Sequence, residues 1–229
     1  MTGTNRTAET TRTAAPMDTD QIWRVIDAER ASLADLLDGL TPEEWELPSP
    51  CEGWRVRDVA AHLTLAPRVG TGRALLEFAR ARGSFDRMVR DTALREAARP
   101  TAEIVAELRG IVGSRRLAPS TTITEPLLDV LVHGQDIALA LGRRRAVPAE
   151  PARIAADRVW SRSWPFRARR RLNGLRLTAT DADWRRGEGE AVSGPMGALL
   201  LVLTGRTGSA LPALSGPGVP LLAARETAG

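Results

Sequence analysis

One cysteine, two histidines, no tyrosine and no lysine set the first limits on this 229-residue chain. A lone thiol cannot close an internal disulfide, which excludes a disulfide-stapled scaffold and points to a reducing cytoplasm. No apolar run approaches the roughly 18 residues of a membrane span; the longest is Ala198–Leu203. The N-terminus, MTGTNRTAETTRTAAPMDTD, lacks the apolar middle of a secretory signal. The missing lysines and tyrosines also account for a pI of about 10.8 at a net charge of only +4. Almost nothing titrates between neutrality and arginine, so the pI reflects absent buffers and not a large positive excess. It argues for no nucleic-acid partner; arginine without lysine, beside abundant Ala and Gly, is the coding bias of a GC-rich genome.

The composition that remains is 43% hydrophobic and 26% charged, which fits neither disorder nor a fibre. The length allows one or two modest domains. Residues 1–17 are polar, Thr-rich and aperiodic, and read as a mobile tail. From Asp18 the apolar positions Ile22, Ile26, Leu33, Leu36, Leu37 and Leu40 recur at helical spacing. Thr41-Pro42-Glu43-Glu44 predicts a capped short helix, and Leu47–Gly53 a loop. Further helices follow from Val56, broken near Pro67, and over Ser84–Arg99. Two more are expected behind caps at Thr101 and Thr124, the second ending at Gly142. The expected architecture is mainly α: an antiparallel four-helix bundle over 18–145, followed by a small α+β domain over 146–229. In that second part, Pro148–Trp160 reads as a helix. Leu175, Leu177 and Ala179 alternate with polar residues as in a half-buried strand. Asp181–Trp184 and the glycines at 187 and 189 suggest a turn with Glu190–Val192 as a partner strand, and Gly194-Pro195 opens an apolar helix.

The chemistry sits where polar residues occupy apolar helices. His62 and His133 are both mid-helix. In the helix that holds the second, Asp129, His133 and Asp136 stand at i, i+4 and i+7 and share one face. A buried carboxylate needs a partner or a cation. Asp129 and His133 are therefore an ion pair or part of a metal site whose third ligand comes from another helix. His62 is the candidate for that third ligand. Two imidazoles and a carboxylate leave coordination positions open, as catalytic sites do; structural core histidines are the plainer alternative.

The stretch Trp45–Leu63, with Pro50-Cys51-Glu52-Gly53-Trp54 and His62, resembles the mycothiol-dependent maleylpyruvate isomerase family of the DinB-like helical-bundle superfamily. So do Asp129–Ala138, with Asp129 and His133, and the weaker block Asp183–Gly189 that continues to Gly205-Arg206. The resemblance implies a divalent metal, usually zinc, on His62, Asp129 and His133. It also implies mycothiol, the low-molecular-weight thiol of actinobacteria, as cosubstrate, and an active-site arginine that falls on Arg206. The chain departs from the isomerase branch in carrying Asp129 in place of glutamate and in a shorter stretch between His62 and Asp129. The expected enzyme is thus a metal-dependent thiol transferase or isomerase acting on a small electrophile, not on maleylpyruvate specifically. A thiol-independent hydrolase, an iron oxygenase and a non-catalytic metal-binding protein are the alternatives.

Other residues carry paired readings. Arg206 is a fork for a substrate carboxylate, or a solvated arginine after Gly205. Asp136 accepts a hydrogen bond from an imidazole, or is a polar residue at the bundle edge. Asp58, one turn before His62, is a ligand or supports one, or serves the start of its helix, where an acid favours the dipole; the last is preferred. Cys51 is a nucleophile or an extra ligand, or an ordinary thiol, and its Pro/Gly-rich loop without a basic neighbour to depress its pKa favours the last. Trp45 and Trp54 bracket that loop, packing it down or lining a pocket mouth. The arginines from Arg158 to Arg176 read as a solvated interdomain face, since no nucleic-acid-binding signature accompanies them.

Overall fold

The computed structural model describes residues 17–227. The expected tail lies outside them except for Met17, which packs against the core. Helix α1 (Thr19–Asp38) starts behind a reciprocal cap: Gln21 N donates to Asp18 Oδ1 at 2.7 Å, and Asp18 N to Gln21 Oε1 at 2.8 Å. Its stripe Ile26, Leu33 and Leu37 is almost fully buried. Thr41 and Glu44 cap α2 (Pro42–Trp45) in the same way. There follow α3 (Val56–Leu63), α4 (Thr71–Arg80), α5 (Phe85–Ala97), α6 (Thr101–Gly110) and α7 (Thr124–Ala140). A 3₁₀ turn at Ala66–Arg68, holding Pro67, separates α3 from α4.

Two caps differ from expectation. Pro100 is the N-cap of α6, so Thr101 is already helical. At α7 the capping chemistry sits two residues earlier than Thr124: Thr122 N donates to Glu125 Oε2 at 2.7 Å. Helix α1 packs on α6 and α7, and α3 packs on α5, α6 and α7. Chain direction reverses between α3 and α7, because Cys51, ahead of α3, meets Asp136 while His62 near its end meets Asp129. The mainly α bundle expected from periodicity is the one observed.

Beyond Gly142, whose φ of +62° ends α7, come α8 (Ala149–Ser161) and α9 (Ala168–Arg171). Strands β1 (Leu175–Ala179), β2 (Arg185–Arg186) and β3 (Glu190–Gly194) then form a sheet in the order β2-β1-β3. β2 is antiparallel to β1, but β3 is parallel to it, Leu175 facing Glu190 and Ala179 facing Gly194. The partner strand is as expected; its route is not. The chain passes from one edge of β1 to the other around that strand's start. Gly189 permits this: it has φ +115°, and a Cβ there would lie 2.1 Å from Gly174 O. Helices α10 (Met196–Leu203), α11 (Thr207–Ala210) and α12 (Val219–Thr227) complete the described chain. The leucines and valine of α10 are buried against α8 and β1, each worth about 1.5–3 kcal/mol of transfer free energy.

The basic segment is partly structural. Arg158 pairs with Glu125, and Arg171 Nη2 donates to Val202 O and Leu203 O at the end of α10. Arg162, Arg167, Arg169 and Arg170 are exposed. Among the described residues no helix is long and apolar enough to cross a membrane.

Candidate metal centre

The loop before α3 is held tightly enough to act as a wall. Ser49 N donates to Trp54 O at 2.8 Å, Trp54 N to Cys51 O at 2.9 Å and Val56 N to Leu47 O at 2.9 Å. Asp58, fully buried, accepts from Arg55 N at 2.8 Å and from Arg55 Nε at 2.9 Å, which fixes the helix start as expected. Trp54 is thereby pressed onto both histidines, its ring centroid 5.3 Å from that of His62 and 6.2 Å from that of His133. The two imidazoles meet edge to face at 4.9 Å. Trp45 is buried and packs the loop down.

Asp129 stands between the imidazoles. Its Oδ2 is 3.6 Å from His62 Nε2 and its Oδ1 is 3.9 Å from His133 Nε2. Both separations are too long for hydrogen bonds. They lie slightly above the roughly 3.3–3.4 Å edge of a tetrahedron with metal–ligand bonds of about 2.0–2.1 Å. His133 Nδ1 is 2.9 Å from Asp136 Oδ2. A carboxylate only accepts, so Nδ1 carries the proton and Nε2 turns its lone pair toward Asp129. Metal-ligating histidines are commonly oriented by such a brace. The side chains of His62 and His133 are 16% and 14% exposed against 37% for Asp129, so the open side of the cluster is the carboxylate side. The three residues fit a divalent cation: two lone pairs and one anion converge with room between them.

A second grouping, Cys51, His133 and Asp136, also brings three ligand-type atoms within 4.8 Å of one another. That one already holds a cation. Arg206 Nε donates to Asp136 Oδ1 at 3.0 Å, and Nη2 donates to Asp136 Oδ2 at 2.8 Å and to Cys51 Sγ at 2.9 Å. Nη1 donates to Thr204 O at 2.7 Å. The guanidinium occupies the place a metal ion would need. Cys51 Sγ in turn donates to Asp136 Oδ2 at 3.0 Å.

The electrostatics follow from these contacts. Burial, with Asp136 adding to it, pushes the Cys51 thiol up to about 12 against the opposing pull of Arg206. Burial alone would raise Asp136, but the bonds from His133 and Arg206 hold its carboxyl far below the usual range. Burial would lower Arg206, and Asp136 more than reverses that. At Asp129, desolvation acts upward and is outweighed by His62, His133 and Arg206, leaving the carboxyl lowered.

The fold thus brings together all five residues singled out in the sequence, with two revisions. Arg206 is not a free fork, because its donors face Asp136, Cys51 and Thr204. Cys51 does have a basic neighbour, Arg206, although it remains a thiol. Sequence reasoning passes over Arg30, whose only signal is an arginine inside the apolar stripe between Ile26 and Leu33.

Two imidazoles and a carboxylate inside a helical bundle, beneath a tryptophan and beside a small mixed sheet, put the chain among bundle proteins with a candidate metal centre. Residues 26–120 match the family model described as the mycothiol maleylpyruvate isomerase N-terminal domain. The match includes His62 and ends before Asp129. Among solved structures, the crystal structure of the mycothiol-dependent maleylpyruvate isomerase is similar at a TM-score of 0.61 and 14% identity, over 88% of this chain and 93% of that one. A histidine-to-alanine mutant of that isomerase is similar at 0.51 and 15% identity with the same coverage. At such identity the likeness is one of fold. No curated protein matches the chain.

Proposed function

We propose that the protein is a metal-dependent enzyme that uses a low-molecular-weight thiol, mycothiol, as nucleophile in S-transfer to, or cis–trans isomerisation of, a small electrophile. The observation that supports it best is the set of Nε2–carboxylate separations of 3.6 and 3.9 Å, beyond hydrogen bonding, with the far nitrogen of His133 pinned at 2.9 Å. His62, Asp129 and His133 would hold the ion, zinc by preference for this donor set. A bound divalent ion would lower the pKa of a thiol beside it, supplying thiolate near neutral pH. Asp136 keeps the proton on His133 Nδ1 and so presents Nε2. Arg206 and Cys51 hold Asp136 in place, acting as positioning residues. Trp54 keeps water from the imidazole faces. Addition of a thiolate to an electrophilic carbon, rotation and elimination gives isomerisation; addition or displacement alone gives transfer. The reading places the enzyme in the cytoplasm with small molecules as its partners and no nucleic acid or membrane. It also divides the chain into a metal-binding part, 18–145, and a C-terminal part, 146–229, that contributes Arg206.

Elemental analysis of the purified protein beside His133→Ala tests this. We expect about one divalent ion per chain, lost in the variant. Iron in place of zinc would redirect the proposal to an oxygenase. No metal in either protein, even after incubation with zinc, would overturn it.

A further inference from the structure

One helix of the bundle is turned inside out. In α4 the buried residue is Glu77, which accepts from Arg80 Nη1 at 3.0 Å and pairs with Arg95. Its apolar neighbours Leu75, Leu76 and Phe78 are 66%, 51% and 42% exposed. At about 100° per residue, Leu75 and Ala79 lie opposite Glu77 around the helix, flanked by Leu76 and Phe78. Helix α4 packs on α5 and leaves this apolar face open to solvent.

The apolar surface continues past the helix. Gly83 sits against Phe78: a Cβ there would lie 3.9 Å from the ring. Two residues on, Phe85 meets Trp164 edge to face at 4.8 Å, and both are exposed. The strip thus joins the bundle to the basic segment of the C-terminal part. Exposed arginines accompany it in both: Arg73, Arg82, Arg87 and Arg90 in one, Arg162, Arg167, Arg169 and Arg170 in the other. Residues 71–90 and 161–170 together hold nine arginines and two acids, and one of those acids is the buried Glu77. The whole chain carries a net charge of only +4, so its positive excess is concentrated here. Solvation accounts for the arginines but not for the bulky apolar side chains among them.

We propose that this strip docks the protein on an anionic lipid surface. The ten residues of α4 are too few to cross a bilayer, so the helix lies along it. Leu75, Leu76 and Phe78 enter the boundary between headgroups and acyl chains. Trp164 and Phe85 sit at headgroup level, and the arginines meet lipid phosphates. A fluid surface moulds itself to side chains that stand out from a helix, whereas a partner protein would have to supply a matching groove. The arginines select anionic lipid, and a second copy of this chain would set arginine against arginine. The proposal is independent of the metal centre. It amends the reading above on one point, giving the cytoplasmic enzyme a membrane surface to rest on.

The test sediments the full-length protein with vesicles of phosphatidylcholine alone and with vesicles of equal parts phosphatidylcholine and phosphatidylglycerol. Wild type should bind the anionic vesicles and not the neutral ones, more weakly as salt is raised. The double variant Leu75→Gln, Phe78→Gln should lose about tenfold or more in affinity, and Arg73→Gln, Arg87→Gln several-fold. Trp164 emission, identified as the part of the spectrum lost in Trp164→Phe, should shift to the blue on anionic vesicles. No binding of wild type to either vesicle would overturn the proposal. Undiminished binding by the Leu75→Gln, Phe78→Gln variant would also overturn it, leaving only adsorption of an arginine-rich chain. A wild-type dimer that ignores vesicles and becomes monomeric in that variant would make the face a contact between copies instead. Should the double variant fail to fold, the wild-type Trp164 emission and the single variant Leu75→Gln decide: an unmoved emission or unweakened binding overturns the proposal.

Discussion

His133 and His62 face the same Asp129 carboxylate, yet their far nitrogens are treated differently. His133 Nδ1 donates to Asp136 at 2.9 Å, and Asp136 is gripped by Arg206 and Cys51. His62 Nδ1 is buried with no hydrogen-bond partner. One wall of the site is a closed polar cluster that fixes a tautomer; the other is held by packing beneath Trp54. The α7 wall is therefore pre-set in orientation before any ion arrives. The α3 wall can adjust, at the cost of an unsatisfied group.

Removing the centre of the braced wall should have the largest effect. Asp136→Ala leaves Arg206 buried without its partner, which we expect to cost about 3–5 kcal/mol in urea unfolding of the metal-free protein. Metal affinity should fall about 10–100-fold in the same variant, because His133 loses its orienting acceptor. Unchanged stability would mean that the α7 wall is not braced as described.

The two histidines supply the direct comparison. Ala at either position should abolish metal binding and open a similar space under Trp54. Only His133→Ala also leaves Asp136 short of a donor, so its metal-free form should be less stable than that of His62→Ala by about 1–3 kcal/mol. Equal stabilities would erase the distinction between the walls.

Cys51 sharpens the description of the cluster. Cys51→Ser keeps a donor to Asp136 and should cost less than Cys51→Ala, by about 1 kcal/mol. With the thiol pushed up to about 12, alkylation by iodoacetamide should be slow at neutral pH. Its rate should climb steadily as the solution is made more alkaline, and a plateau in mildly alkaline buffer would contradict the assigned environment.

The smallest effect is expected away from the site. At Glu96, burial acts upward, but Arg99 and Arg68 outweigh it and hold the carboxyl below the usual glutamate range. A lowered carboxyl stabilises the fold above its unfolded pKa, and that contribution is lost as pH falls through the folded value. Glu96→Gln should flatten the acid limb of the stability curve by about 1 kcal/mol or less, leaving metal content untouched.

Much of the fold is readable in the sequence because its causes are local. The stripe of α1, the caps at Asp18 and Thr41 and the stop at Gly142 act within one or two turns, so periodicity and residue type suffice. The shared face of Asp129, His133 and Asp136 is likewise a property of helical periodicity. Which charge meets which across the fold is not readable. Arg206 reaches Asp136 across 70 positions and Cys51 across 155, and only packing of the C-terminal part against α7 and the loop before α3 makes those contacts. The parallel route of β3 depends on a close approach at Gly189 that no alternation pattern reveals. The helices and the residue types at the centre thus follow from the order of residues, because short-range sterics and hydrogen bonding decide those. It takes the packed chain to commit Arg206 to Asp136, to hold Cys51 as a thiol and to bury Arg30 against the carbonyls of Ile111 and Ser114. Burial and charge pairing are properties of surroundings that distant segments supply.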